Sequence, residues 1–307
     1  MKSYLLIFLK GIAMGAADVV PGVSGGTIAF ISGIYQRLLG AISAIDPVAV
    51  RLLVSLRLRQ LWQHIDGTFL TVLIGGISIS IIALSQLILY LLTNYPEMLW
   101  AFFFGLVLAS ALPIGRSIQR WNGITVLTFL FGTGIAYWIT VAVPVETPTE
   151  LWFIFLSGAI AICAMILPGI SGSFMLLLMS KYEYIITAVA QLNLKVLTVF
   201  ALGCTVGLLS FSKFLRWLLK HYHDGTVALL MGFMIGSLNK VWPWKKVLQY
   251  YSDRHGKLKP LLETNVLPTD YLELTGKEPM LVSCILLCLL GFGLVYFLER
   301  LAASKTT

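Results

Sequence analysis

The string DVVPGVSGGT at residues 18–27 holds the side chains best suited to chemistry in this chain. Pro21 lacks an N–H, and Gly22, Gly25 and Gly26 accept backbone angles that other residues avoid. A helix should therefore stop here and restart near Ser24. Amides at a helix start carry partial positive charge and face outward. The glycines let an anion approach closely, and the Ser24 and Thr27 hydroxyls add donors. That is the physics of a phosphate or carboxylate cradle. The string then returns, with LPGISGS at 167–173 repeating VPGVSGG at 20–26. The second copy offers Ser171, Gly172 and Ser173. A bland reading stands beside this one, in which each copy is a tight turn between closely packed helices. The doubling favours the substrate site, because paired interruptions of apolar segments in two halves point to a transporter's centre.

Charged residues lie close to both copies. Asp18 has Met165 as its counterpart. An acid at that depth is costly, so Asp18 is a candidate for binding a coupling proton or sodium ion, or equally for capping a helix that starts near Val20. Arg37 can either snorkel to the interface or reach an anionic headgroup. Lys181 and Glu183 are its rough counterparts. They can pair locally or greet an arriving phosphate, and Glu183 joins Asp18 as a coupling candidate. Ser78, Ser80, Ser85, Gln86, Ser210 and Ser212 read as bridges between helices.

No catalytic set accompanies these residues. No histidine lies near a motif serine in the sequence, and the chain has no P-loop lysine and no H-E-x-x-H, so it is not expected to be an enzyme. Its four cysteines lie in apolar segments and its four histidines in or beside hydrophilic loops. This spacing suits neither a disulfide framework nor a metal site. No cofactor is expected.

The elements that must position the motifs are membrane helices. Of 307 residues, 58% are hydrophobic and 12% charged, where a soluble domain carries about 25% charged residues. Mean hydropathy is +0.88. The net charge of +8 then reports cytoplasmic loops and anionic lipid rather than nucleic acid. Apolar arms at 4–17 and 28–45 flank the first motif, followed by a basic loop and segments at 68–92, 98–115 and 122–143. Arms at 151–166 and 172–190 flank the second motif, followed by segments at 196–219, 226–240 and 279–299. The fold expected is an all-α polytopic membrane protein of two repeats, at residues 1–145 and 146–307. Each repeat is a broken helix pair plus three transmembrane helices. The likeness of FGLVLAS at 104–110 to MGFMIGS at 231–237 supports the duplication.

Three crossings per half is an odd number, which inverts the second repeat. With both termini in the cytoplasm, Arg51, Arg57, Arg59, Arg116, Arg120, Lys213, Arg216 and Lys220 fall inside. The 239–279 loop then falls outside. An arm of residues 4–17 spans about 21 Å as helix, short of the ~30 Å hydrocarbon core. This favours re-entrant hairpins over double crossings, although the second arms are long enough nearly to cross. Glycine-lined faces at Gly75, Gly76, Gly203 and Gly207 are candidates for a lateral opening to lipid.

The string GAADVVPGVSGGTIAFISGIY at 15–35, with ILPGISGS at 166–173, Gly236-Ser237 and Trp242-Pro243, resembles a bacterial and archaeal membrane family. That family was catalogued as domain-of-unknown-function family 368 and is now regarded as polyprenyl-phosphate transporters. The resemblance runs along nearly the whole chain. It implies a flippase that returns undecaprenyl phosphate from the outer to the inner leaflet of the cytoplasmic membrane, recycling the carrier for peptidoglycan and other envelope polymers. Gln36 stands where many relatives carry an acid. The residues alone also admit an ion-coupled transporter of a small soluble anion.

Overall fold

The computed structural model describes residues 2–19, 24–252 and 258–303. The Pro21-Gly22 break of the first motif, and any helix start near Val20, lie outside the described residues. The chain is mostly helical. In the first half run α1 (Lys2–Val19), α2 (Gly25–Ile31), α3 (Tyr35–Ser43), α4 (Pro47–Val54), α5 (Leu58–His64), α6 (Gly67–Asn94), α7 (Pro96–Ser117) and α8 (Gly123–Val141). In the second run α9 (Leu151–Ile166), α10 (Gly172–Leu178), α11 (Tyr182–Ala190), α12 (Leu194–His221) and α13 (His223–Ser237). The strands β1 (Lys245–Ser252) and β2 (Leu258–Asn265) follow, then α14 (Pro268–Thr275) and α15 (Leu281–Ala303).

Among the described residues, α6, α7, α8 and α12 are long and apolar enough to cross a membrane, and α9 and residues 281–297 of α15 are shorter apolar helices. This is a multi-pass membrane protein. α13 is shorter, at 15 residues, or about 22 Å at ~1.5 Å per residue.

Three expectations need correction. The arms after the motifs are not continuous. The first breaks between α2 and α3 at Gly33, whose φ of +72° suits a residue without a Cβ, and the second between α10 and α11 at Ser180 with φ +53°. Seven- and nine-residue helices cannot nearly cross, as the unbroken arms would have. The 239–279 stretch is also not a plain loop, although the fold is mostly helical. The hydrophilic 239–279 stretch holds the antiparallel β1–β2 hairpin, with an irregular register around Gln249, together with α14. Three of the four glycines expected to line an opening instead lie in tight contacts between helices. A Cβ on Gly76 would collide with the Phe8 carbonyl, on Gly203 with the Phe155 carbonyl, and on Gly207 with Ala159. They let backbones touch, as small residues do between membrane helices. Gly75 alone of the four has open space beside it.

Two compact units result. One comprises Met1–Ile88 with Pro113–Ser237, the other Leu89–Leu112 with Leu238–Thr307. In the first, α1 meets α6 through Gly11 against Leu73 and Gly76 against Phe8. α9 meets α12 the same way, through Gly158 against Phe200 and Gly203 against Phe155. The same unit pairs α8 with α13, Gly132 lying on the Leu229 carbonyl and Gly232 on that of Phe129. The second unit pairs α7 with α15 the same way, Gly105 on Cys288 and Gly291 on Phe102. The third long helix of each half thus packs on the second long helix of the other half.

The second unit also fixes the hairpin. Trp242 Nε1 donates to Val266 O at 2.9 Å and Trp244 Nε1 to Pro279 O at 2.8 Å. Tyr271 OH donates to Glu97 Oε1 at 2.5 Å, both residues being buried. Burial and that carboxylate push the Tyr271 phenol above the ordinary range.

Candidate functional site

Ser24 is extended and caps α2, its Oγ accepting the Gly26 N–H at 3.1 Å. Asp18, one residue before the end of α1, accepts the Gly25 N–H on Oδ1 at 2.7 Å. Helix starts attract negative charge, and at α2 the chain's own carboxylate supplies it. Asp18 therefore does cap a helix, but the helix is α2. The approach is close: a Cβ on Gly25 would lie 2.5 Å from Asp18 Oδ2, and one on Gly26 would lie 2.7 Å from Ile166 O.

The first motif also reaches across to the second. Ser24 Oγ donates to Met165 O at 3.1 Å, with Leu167 O at 3.4 Å. Tyr35 OH donates to Ile166 O at 3.1 Å, and Gly169 N–H donates to Thr27 Oγ1 at 2.8 Å. Helix ends leave carbonyls without intrahelical partners, and here α9 stops at Ile166 before Pro168. Three side chains of the first half satisfy the backbone on both sides of that stop. Ser24, Thr27 and Tyr35 are 1%, 1% and 2% exposed, so they face protein. Tyr35 was missed as a side chain that joins the two motifs, and its signal was a phenolic hydroxyl in a mostly apolar arm.

The second motif is arranged differently. Gly169 turns the chain with φ +85°. Ser171 is extended, its side chain makes no cap, and its Oγ lies 2.9 Å from Ser173 Oγ. Ser173 is exposed, Ser171 is half-buried and Gly172 is buried, a Cβ there lying 2.5 Å from Ala161 O. The α10–α11 break is strapped by the preceding linker. Val145 N–H donates to Leu178 O at 2.8 Å, Thr147 Oγ1 bonds Met179 O, and Lys181 Nζ donates to Thr147 O at 2.6 Å. Lys181 is buried and serves the linker.

The structure thus gathers Asp18, Ser24, Gly25, Gly26 and Thr27 around the second break. Arg37 and Glu183 sit past the later breaks, on α3 and α11. Arg37 grips Asp66 through Nε at 2.6 Å and an Nη at 3.1 Å, with its guanidinium 4.4 Å from the Phe69 ring centre. Glu183 is exposed in the first turn of α11.

Such a site, with two broken-helix motifs locked together among apolar helices, defines a polytopic α-helical membrane protein with a duplicated re-start motif. The chain belongs to the VCA0040-like family, described as undecaprenyl phosphate translocase-like, which it matches over residues 14–259. A protein of Vibrio cholerae serotype O1 named polyprenyl-phosphate transporter is 45% identical over 300 residues, 98% of this chain and 97% of its own length. A protein of the same name from Staphylococcus aureus is 34% identical over 256 residues, 76% of this chain and 85% of its own. No solved structure matches.

Proposed function

We propose that this chain is a flippase that carries undecaprenyl phosphate from the outer to the inner leaflet of the bacterial cytoplasmic membrane, returning the lipid carrier to envelope polymer synthesis. The observation that carries this reading is the nearly full-length likeness to a polyprenyl-phosphate transporter. In the proposal, residues 1–145 and 146–307 are repeats of opposite orientation, both termini are cytoplasmic and 239–279 is external. The repeated glycine contacts support the duplication. The phosphate meets Ser171, Gly172 and Ser173, whose hydroxyls are not committed to the backbone of the other motif. Ser24, Gly25, Gly26 and Thr27 hold that site in place, Arg37 receives the headgroup at the cytoplasmic side, and Asp18 with Glu183 carries a proton or sodium ion.

The test is exchange of undecaprenyl phosphate between leaflets of proteoliposomes, with and without a pH or sodium gradient. Transfer of the phosphate lipid but not of undecaprenol, resisted by excess inorganic phosphate, is the expected result. Transport of inorganic phosphate with no lipid transfer would replace the reading with a soluble-anion transporter.

A further inference from the structure

We infer that α4 and α5 form an in-plane platform seated on anionic lipid at the membrane border. The two halves run in parallel until Asp46 and Asn193. Asp46 caps α4 through the Ala49 N–H at 3.0 Å, and Asn193 caps α12 through the Val196 N–H at 3.3 Å. From there the second half enters its long helix directly, whereas the first half inserts α4 and α5 before α6. The insertion has no counterpart in the duplicated frame, so the packing shared by both halves does not require it.

Two observations identify what covers it. The first is apolar exposure. Among the described residues of α4 and α5 only Ala49 is buried. Val50, Leu53, Val54, Leu56, Leu58 and Trp62 are 57%, 53%, 78%, 80%, 58% and 48% exposed. Helices of eight and seven residues are marginal alone in water, and a contiguous apolar surface of this kind marks a binding face. The second is charge. Between Asp46 and Asp66 the chain carries Arg51, Arg57 and Arg59 and no acid, and all three arginines are exposed. The two flanking acids are engaged, Asp46 with the α4 cap and His64, and Asp66 with Arg37. Apolar side chains interleaved with arginine fit an interfacial helix on anionic lipid, and a protein partner would need a matching acidic face.

The fold places this platform at the right depth. α6 is a membrane-spanning helix that begins at Gly67. Trp62 Nε1 donates to Thr68 Oγ1 at 2.9 Å, and the Trp62 ring lies directly against Gly67. The end of α5 is therefore fastened to the end of a span, where headgroups begin.

The experiment uses the full-length protein with its four cysteines replaced, Leu56→Cys labelled with bimane, and reconstitution into vesicles. Brominated phosphatidylglycerol or brominated phosphatidylcholine is the lipid quencher and iodide the aqueous one. Strong quenching by both lipids, with phosphatidylglycerol effective at the lower mole fraction and iodide ineffective, is the expected result. Adding Arg51→Gln, Arg57→Gln and Arg59→Gln should keep the lipid quenching and abolish the phosphatidylglycerol preference. Each arginine near an anionic surface accounts for about fivefold, from roughly 1 kcal/mol apiece. Iodide quenching without lipid quenching would overturn the inference. So would an equal response to both lipids in the unsubstituted background, or shielding from lipid and iodide alike, which signals a protein partner or a second copy.

Discussion

Gly169 N–H is hydrogen-bonded to Thr27 Oγ1 at 2.8 Å, so a side chain of the first motif closes the backbone turn of the second. Threonine is needed there for its hydroxyl, and its methyl is surrounded by protein. Thr27→Val keeps the shape and leaves the amide without its partner, at a cost of about 1–3 kcal/mol for an unsatisfied buried donor. Thr27→Ser keeps the hydroxyl. The expected outcome is a lower unfolding temperature in detergent and slower exchange at saturating lipid for Thr27→Val, with little change in apparent KM, and recovery of most of the rate in Thr27→Ser. A valine variant as stable and fast as the parent would remove the bracing role.

The asymmetry of the motifs predicts unequal reactivity of their serines. Ser24 is 1% exposed and bonded to Met165 O, while Ser171 turns toward the exposed Ser173. In a background lacking native cysteines, Ser171→Cys should react with a small polar thiol reagent and be slowed by undecaprenyl phosphate, with undecaprenol protecting far less. Ser24→Cys should react much more slowly. Fast reaction of Ser24→Cys together with a slow Ser171→Cys would reverse the assignment of the open motif.

Much of this arrangement was legible in the chain, and the illegible part has physical causes. The motif pair, the helix stops and the long segments follow from Pro, Gly and apolar run length, which act locally. α9, for example, spans Leu151–Ile166 as its apolar run does. The second breaks at Gly33 and Ser180 were hidden because a single residue at positive φ ends a helix without a proline or a long polar stretch to announce it. The exchange of partners between α7–α15 and α8–α13 was also illegible. The glycines at 105, 132, 232 and 291 declare a close approach, but the sequence does not name the helix that approaches. The two copies of the motif read alike. Only the fold reveals that Ser24 and Thr27 spend their hydroxyls on the other copy's backbone.

Asp18 separates capping from coupling. Its Oδ1 accepts the Gly25 N–H at 2.7 Å, a contact the amide oxygen of asparagine can also make, and Asn caps about as well as Asp. Asp18→Asn should therefore fold with nearly parental stability. If Asp18 also carries the coupling ion, the variant exchanges lipid down its gradient and no longer responds to a pH or sodium gradient. Gradient-driven accumulation equal to that of the parent would leave Asp18 as a cap alone.

Lys245 at the base of the hairpin predicts a pH dependence in the second unit. Its Nζ donates to Lys240 O at 2.6 Å, lies 4.1 Å from the Trp100 ring centre and 3.8 Å from Glu263 Oε2, and its side chain is 8% exposed. Burial lowers its pKa from 10.5 to about 8, the Glu263 carboxylate resists that shift and the neighbouring Lys240 charge adds to it. Below pH 8 the lysine is protonated folded and unfolded, so the folded state bears the whole penalty of the buried charge. Between pH 8 and 10.5 the folded lysine is neutral while the unfolded one stays charged. The unfolded state then binds more protons, and stability rises with pH. At ~1.4 kcal/mol per pKa unit the gain is at most about 3 kcal/mol. The measurement is unfolding of the detergent-solubilised protein between pH 7 and 10, followed by the near-ultraviolet signal of the tryptophans. Relative to Lys245→Met, which cannot titrate, the parent should gain stability across that range. Parallel curves for parent and variant would show that Lys245 keeps its charge in the fold, held by Glu263 and the Trp100 face.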